Sequence, residues 1–322
     1  MKLKAGFLCL VIVAFLIVPL ARAQEIGEGD PGQLGFNMEK LNRVEDVIRE
    51  SMEEKEIPGA VVMVARKGKV VYRKVFGIRS LTPQREDLTF DTIFDMASVT
   101  KVMATATSGM ILVEEGRISL KDPLSKYIPE FGNRGKRNIT ILQMLTHYSG
   151  LRPDLDLDFE WEGYDKAIEL ACRERPDAVP GEEFIYSDIN YFMLGELVRV
   201  VSGETLDEFA RKRIFEPLGL ADTGYLPDPS LVPRIAPTEV RDGKMLRGQV
   251  HDPTTARMGG VAGHAGLFST PLDTLVWAQM ILQGGIYGDT RILSPMSVLK
   301  MTTPQTPSGK GDWPGLGQAF PP

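Results

Sequence analysis

The chain has 322 residues, 43% of them hydrophobic, with 37 Lys and Arg against 43 Asp and Glu and a formal net charge of −6. That length and apolar content are ample for a buried core in one large domain or two lobes. An acidic balance with no basic run excludes nucleic acid as a partner.

Met1-Lys2-Leu3-Lys4 is a basic start, residues 5–20 are almost wholly apolar, and Ala21-Arg22-Ala23 is a small-x-small cleavage signature. Residues 1–23 therefore read as a secretory signal peptide, and the mature chain is expected to be secreted or periplasmic with no stable membrane span. An uncleaved anchor fits less well, because the apolar run is short and ends at Pro19. Cleavage removes Lys2, Lys4 and Arg22, taking the charge from −6 to −9, and removes Cys9. Cys172 is left alone, so no intramolecular disulfide is expected. His147, His251 and His264 form no H-x-x-x-H or Cys/His ligand pattern, and neither a metal nor another cofactor is expected.

Residues 24–35 are Gly-, Pro- and acid-rich and read as a flexible lead-in to a domain over 36–322. Asn37 is placed to cap a helix through about Glu54, with Leu41, Val44, Ile48 and Met52 on one face. Two β-rich runs, 59–65 and 70–76, flank Arg66-Lys67-Gly68-Lys69 and predict a hairpin. A helix followed by an antiparallel hairpin points to the sheet of an α+β fold. From Ser98 onward the pattern is helical. Gly116 is expected to close the first helix, Thr140 to cap a short one, and residues 189–201, apolar on most faces, to form a buried helix ending at Gly203. Another is expected over 205–215, stopping before Pro217. Residues 222–266 read as long surface loops with a possible hairpin, and helices are expected over 271–283 and 295–301.

The chemistry centres on Ser98. A short β-rich run breaks at Ala97-Ser98 into a segment with Val102, Ala106, Met110 and Val113 at helical spacing, which puts Ser98 near a helix N-terminus. Lys101 then stands one turn on, on the same face. A serine hydroxyl needs a neighbour to take its proton, and a lysine there can do so or tune the group that does. The pattern is common: Ser297-Val298-Leu299-Lys300 repeats it, and that copy reads as a solvated helix face. The second element is Tyr186, in a short loop before the buried helix, where a phenol held at a fixed point can shuttle a proton.

Taken together, Ser98-x-x-Lys101, Leu145-Thr146-His147-Tyr148-Ser149-Gly150-Leu151, Pro180-Gly181 with Phe184-x-Tyr186-Ser187, Tyr191-x-x-Leu194-Gly195, and Pro217-Leu218-Gly219-Leu220-x-x-Thr223 resemble successive signatures of the β-lactamase-related serine hydrolases. That superfamily includes class C β-lactamases, DD-carboxypeptidases and transpeptidases of the penicillin-binding type, esterases and D-aminopeptidases. The resemblance covers residues from about Phe36 onward. It implies a β-lactamase/transpeptidase-like fold, an antiparallel sheet flanked by helices plus an all-helical lobe, with the active-site cleft between them. It also implies that Ser98 is acylated, that Lys101 is its partner, that Tyr186 exchanges protons with the serine and the leaving group, and that the Ser98 N–H forms half of an oxyanion hole.

Two departures stand out. Asp188 occupies the position where the family usually has asparagine, and an ionised carboxylate only accepts hydrogen bonds where the amide would also donate. It is expected to contact substrate and to disfavour β-lactams. His264-Ala265-Gly266 is the only candidate for the family's third motif, yet it lies closer to the tyrosine than that motif does. The glycine-rich run 259–270 around it resembles instead the loop that walls the cleft. His264 and Gly266 are nonetheless expected at the substrate. The end of the chain resembles the approach to a further strand, so a C-terminal truncation relative to the family is expected. The function these observations imply is an exported serine hydrolase acting through an acyl-enzyme on a small-molecule or peptide substrate. The rivals are a carboxylesterase with the same machinery and an inactive binding module of the same fold.

Overall fold

The computed structural model describes residues 26–241 and 243–305. The expected signal peptide and the expected chain-end truncation both lie outside them. Among the described residues no helix is long and apolar enough to cross a membrane.

The N-terminal part is a sheet with a helix laid on it. After a two-residue strand β1 (Gly27–Glu28), helix α1 (Met38–Glu53) begins where Asn37 accepts the Lys40 N–H, as its short polar side chain permits. Strands β2 (Gly59–Arg66) and β3 (Lys69–Ser80) form the expected hairpin, paired from Gly59↔Gly77 to Arg66↔Lys69 with a bulge where the register shifts between Val64 and Ala65. Its two-residue loop has φ of +52° at Lys67 and +73° at Gly68, the mirror-image turn that matches the twist of paired strands. β1 pairs parallel with β3, and β4 (Glu86–Asp87) pairs antiparallel with it.

A second sheet is small and central. β5 (Phe94–Asp95) and β6 (Gly224–Tyr225) lie on either side of β9 (Leu267–Ser269), all antiparallel, with Asp95 opposite Phe268 and Tyr225 opposite Leu267. This sheet brings the residues before Ser98 against the run that contains His264.

The helical part holds the main core. The chain after Ser98 winds first through a wide π-helical turn, Lys101–Ala106, and then into α2 (Thr107–Glu114), closed by Gly116 at φ +68°. α3 (Ile141–Leu145) starts at Thr140 with a capping box to Gln143. α4 (Tyr164–Arg173) is not among the expected helices, although Tyr164, Ala167, Ile168 and Ala171 recur at helical spacing; its N-cap Gly163 offers no side-chain bond. α5 (Asp188–Ser202) is the central helix: residues 189–198 are all buried, and it ends at left-handed Gly203. Its buried apolar residues share one hydrophobic cluster with Met103, Met110, Phe131, Leu145, Phe209 and Phe215. α6 (Leu206–Ala210) runs through a second π turn into α7 (Glu216–Leu218) and closes at left-handed Gly219. The helix thus passes Pro217 rather than stopping before it, because proline is tolerated in the first turn of a new helical segment.

The long loops contain the expected hairpin, β7 (Val240–Arg241) with β8 (Lys244–Met245), and also a short helix, α8 (Pro253–Arg257), capped by Asp252. α9 (Pro271–Leu282) packs on β2, the hairpin β10 (Ile286–Tyr287) and β11 (Thr290–Arg291) follows, and α10 (Pro295–Thr302) ends the described chain. Ser297, read as solvated, is 7% exposed: it lies in the first turn of α10, its N–H bonded to Ser294.

Candidate active site

Three residues distant in sequence meet at one oxygen. Lys101 Nζ donates to Ser98 Oγ at 2.9 Å, and the Tyr186 hydroxyl donates to the same atom at 2.8 Å. Ser98 itself is exposed, whereas Lys101 is 1% exposed. The reason for the exposure is local: Ala97 has φ +44°, a left-handed kink that swings the chain from β5 into the helix and leaves the serine at the corner. From that corner a tight turn, in which the Lys101 N–H donates to the Ser98 carbonyl at 3.0 Å, sets Lys101 beside Ser98, and the wide π turn begins at Lys101 itself. π turns of this kind recur at functional sites.

Lys101 is held on several sides. Its Nζ lies 2.6 Å from Asp188 Oδ1, donates to the His264 carbonyl at 3.3 Å, and sits 4.6 Å from the centroid of the Tyr186 ring and 5.7 Å from that of Tyr191. A buried ammonium is tolerated only when it is so compensated. Asp188 is the first residue of α5 and keeps 22% side-chain exposure, so it touches both the lysine and the open side of the site.

Tyr186 is fixed by its loop, which zips onto residues 147–153. Ile185 N–H donates to the His147 carbonyl, Ser187 Oγ to that of Arg152, and Asp188 N–H to that of Pro153. Beneath it the His147 ring lies 4.5 Å from the Tyr186 ring and 5.1 Å from that of Tyr191. His147 Nδ1 accepts the Ser187 N–H at 3.0 Å, which places the proton on Nε2. Burial, with the Lys101 charge beside it, lowers the imidazole to about 3. It is a neutral platform.

The opposite wall is the glycine-rich run. Thr105 Oγ1 donates to the Gly263 carbonyl at 2.6 Å, and Gly263 lies so close to α5 that a Cβ there would stand 1.9 Å from the Tyr191 oxygen. The His264 ring is 1% exposed and turned inward, with Nε2 2.9 Å from Asp252 Oδ1 and 3.0 Å from Thr255 Oγ1. Gly266 is also buried, at φ +106°, with no room for a Cβ beside the Gly260 carbonyl. Neither presents a side chain to an open cleft; His264 reaches the site through its carbonyl. A cavity of about 300 Å³ lies behind this wall, lined by Tyr164, Leu206, Met258 and Val261, and does not include Ser98.

Asp188, Asp252 and His264 have ligand-type atoms within 4.8 Å of one another, a grouping that the spacing of the histidines did not reveal. Each is already engaged, Asp188 by the Lys101 ammonium and Asp252 by His264. Burial alone would raise the Asp252 carboxyl, but the His264 hydrogen bond and charge and the Thr255 N–H hold it well below the usual range. Asp154, bonded by Thr254 Oγ1 at 2.6 Å, is raised by burial, with the nearby Asp188 charge acting in the same direction.

The chain is similar to known proteins along most of its length. The profile of the family described as Beta-lactamase matches residues 44–320. A protein of Escherichia coli (strain K12) named "Putative D-alanyl-D-alanine carboxypeptidase" is 32% identical over 343 residues, covering 94% of this chain and 77% of that protein. The octameric penicillin-binding protein homologue from Pyrococcus abyssi superposes with TM-score 0.70 and 28% identity, covering 86% of this chain and 64% of that one. A class C beta lactamase from Rhodobacter sphaeroides shares the fold, with TM-score 0.67 and 23% identity over 82% of this chain and 71% of its own. The chain thus spans about two thirds to three quarters of the length of these proteins. With its α+β architecture and the extent of the family match, it belongs to the Beta-lactamase family.

Proposed function

We propose that the chain is an exported serine hydrolase that works through an acyl-enzyme on an amide or ester, with a D-amino-acid peptide of the peptidoglycan type as the favoured substrate class. The observation that carries this reading is the convergence of Lys101 Nζ and the Tyr186 hydroxyl on Ser98 Oγ. The Escherichia coli relative's name supports the substrate class, and the signal-like residues 1–23 support export. Residues 36–322 act in this reading as one hydrolase domain.

In acylation, Ser98 Oγ attacks the substrate carbonyl carbon. In this step the Tyr186 hydroxyl turns its proton from Ser98 Oγ toward the leaving amine or alcohol and protonates it, while the Tyr186 oxygen takes the serine proton, so the relay is neutral overall. The Lys101 ammonium, countered by Asp188, stabilises the negative charge that develops on both oxygens. The Ser98 N–H supplies one donor to the carbonyl oxygen. Water then enters by the reverse relay and releases the acid. Asp188, Lys101 and Tyr186 thus have positioning, electrostatic and proton-transfer roles, while His264 and Gly266 shape the wall.

The test is intact mass after treatment with a fluorophosphonate or penicillin, followed by peptide mapping. A single adduct on Ser98, absent from Ser98→Ala, is the expected result. No adduct together with no turnover of nitrocefin or p-nitrophenyl esters would leave the fold as a binding module.

A further inference from the structure

We propose that Asp95 and His251 are positioning residues for the nucleophile: Asp95 pins the left-handed turn that presents Ser98, and His251 anchors that carboxylate to the wall of the site. The inference rests on the reading of Ser98 as the acylated residue.

Ala97 carries a Cβ at φ +44°, a backbone state that only glycine adopts readily. Something must hold it there. Asp95 Oδ1 accepts the Ala97 N–H at 2.9 Å, closing a side-chain turn over the two residues before Ser98. Its other oxygen, Oδ2, accepts the His251 main-chain N–H at 2.9 Å and lies 3.1 Å from His251 Nδ1. The Asp95 side chain is only 1% exposed, so both oxygens depend on these donors, whereas His251 keeps 39% exposure.

The segment continues inward. Asp252, next in the chain, holds the His264 ring at 2.9 Å and caps α8 through the Thr255 N–H at 2.7 Å, while the His264 carbonyl accepts Lys101. Two adjacent residues therefore connect the corner bearing Ser98 to the wall that Lys101 touches. Arg241 closes the outer side by donating to the His251 carbonyl. A buried carboxylate could simply stabilise the fold. Its placement two residues before a strained alanine that precedes Ser98 assigns it to the geometry of attack.

Labelling of the full chain by a fluorescent fluorophosphonate, followed against probe concentration, separates the limiting acylation rate from the half-saturating concentration. Ser98→Ala sets the background. Asp95→Ala is expected to lower the limiting rate about 10- to 100-fold with the half-saturating concentration unchanged, because misplacing a nucleophile costs rate rather than binding. Asp95→Asn keeps an oxygen for the Ala97 N–H but sets its NH2 against the His251 N–H, and is expected to lose rate by less than Asp95→Ala does. Adding Ala97→Gly to Asp95→Ala should recover most of the loss, since glycine holds a positive φ unaided. A folded Asp95→Ala chain labelled at the native rate overturns the inference, as does a folded double variant with no recovery. Where Asp95→Ala fails to fold, His251→Ala decides: a lowered limiting rate supports the proposal and an unchanged one overturns it. A native chain that is not labelled at Ser98 removes the functional reading itself, and this inference with it.

Discussion

The Tyr186 hydroxyl lies 2.8 Å from Ser98 Oγ although 88 residues of chain separate them. Both positions are fixed from below: Ser98 by the kink at Ala97, Tyr186 by the His147 ring and by the loop bonds to residues 147–153. The distance is therefore a property of the packed scaffold, and a change to either support should be felt at the oxygen.

Tyr186→Phe tests the proton relay with the least disturbance, since the ring that stacks on His147 remains. Turnover of a p-nitrophenyl ester is expected to fall about 10²- to 10⁴-fold in kcat with KM little changed. A variant with native kcat would take Tyr186 out of the mechanism.

Asp188→Asn should change selectivity. The amide retains an oxygen for Lys101 and offers an N–H to a substrate carbonyl, where the carboxylate offers only negative charge. The ratio of nitrocefin to ester turnover is expected to rise about tenfold, the worth of one hydrogen bond. A flat or lower ratio would show that Asp188 does not set the preference.

His147 should make the protein acid-sensitive. Its ordinary value is 6.5 and its folded value about 3, so between these the unfolded chain binds the proton and the folded one does not. The stabilising contribution is complete above about pH 6.5 and is lost as pH falls toward 3, at about 1.4 kcal/mol per pH unit. His147→Asn removes the ionising group and tolerates the φ of +61° at this position. Urea unfolding from pH 7 to pH 5 should show a shallower loss in the variant than in the native chain; equal slopes would contradict the assignment.

Gly263→Ala should be severe. The added Cβ meets the Tyr191 carbonyl oxygen at 1.9 Å and its carbon at 2.7 Å, both backbone atoms of the central helix. Relief requires the wall to move off α5, which would break the Thr105 bond to Gly263. A loss above about 3 kcal/mol is expected in denaturant unfolding, and a midpoint equal to the native one would rule out this packing.

Much was legible in the chain before any coordinates, and it was the local part. Asn37 and Thr140 cap helices because their side chains reach an N–H three residues on, Lys67-Gly68 turns the hairpin, and Gly203 ends α5, each a matter of a few neighbouring dihedrals. The i, i+3 pair Ser98 and Lys101 belongs to the same class, as does the recognisable order of the motifs. α4 lacks a side-chain cap at Gly163, yet its apolar spacing is as local a signal as the others, whereas the burial of Ser297 depends on what packs over it. Only the tertiary structure could turn the His264 ring away from the cleft toward Asp252, set His147 under Tyr186, and tie Asp95 to His251. Those pairings cross 12 to 156 residues, and nothing local encodes them: hydrogen bonds and ring contacts act over a few ångströms, so which distant groups meet is decided when the core closes.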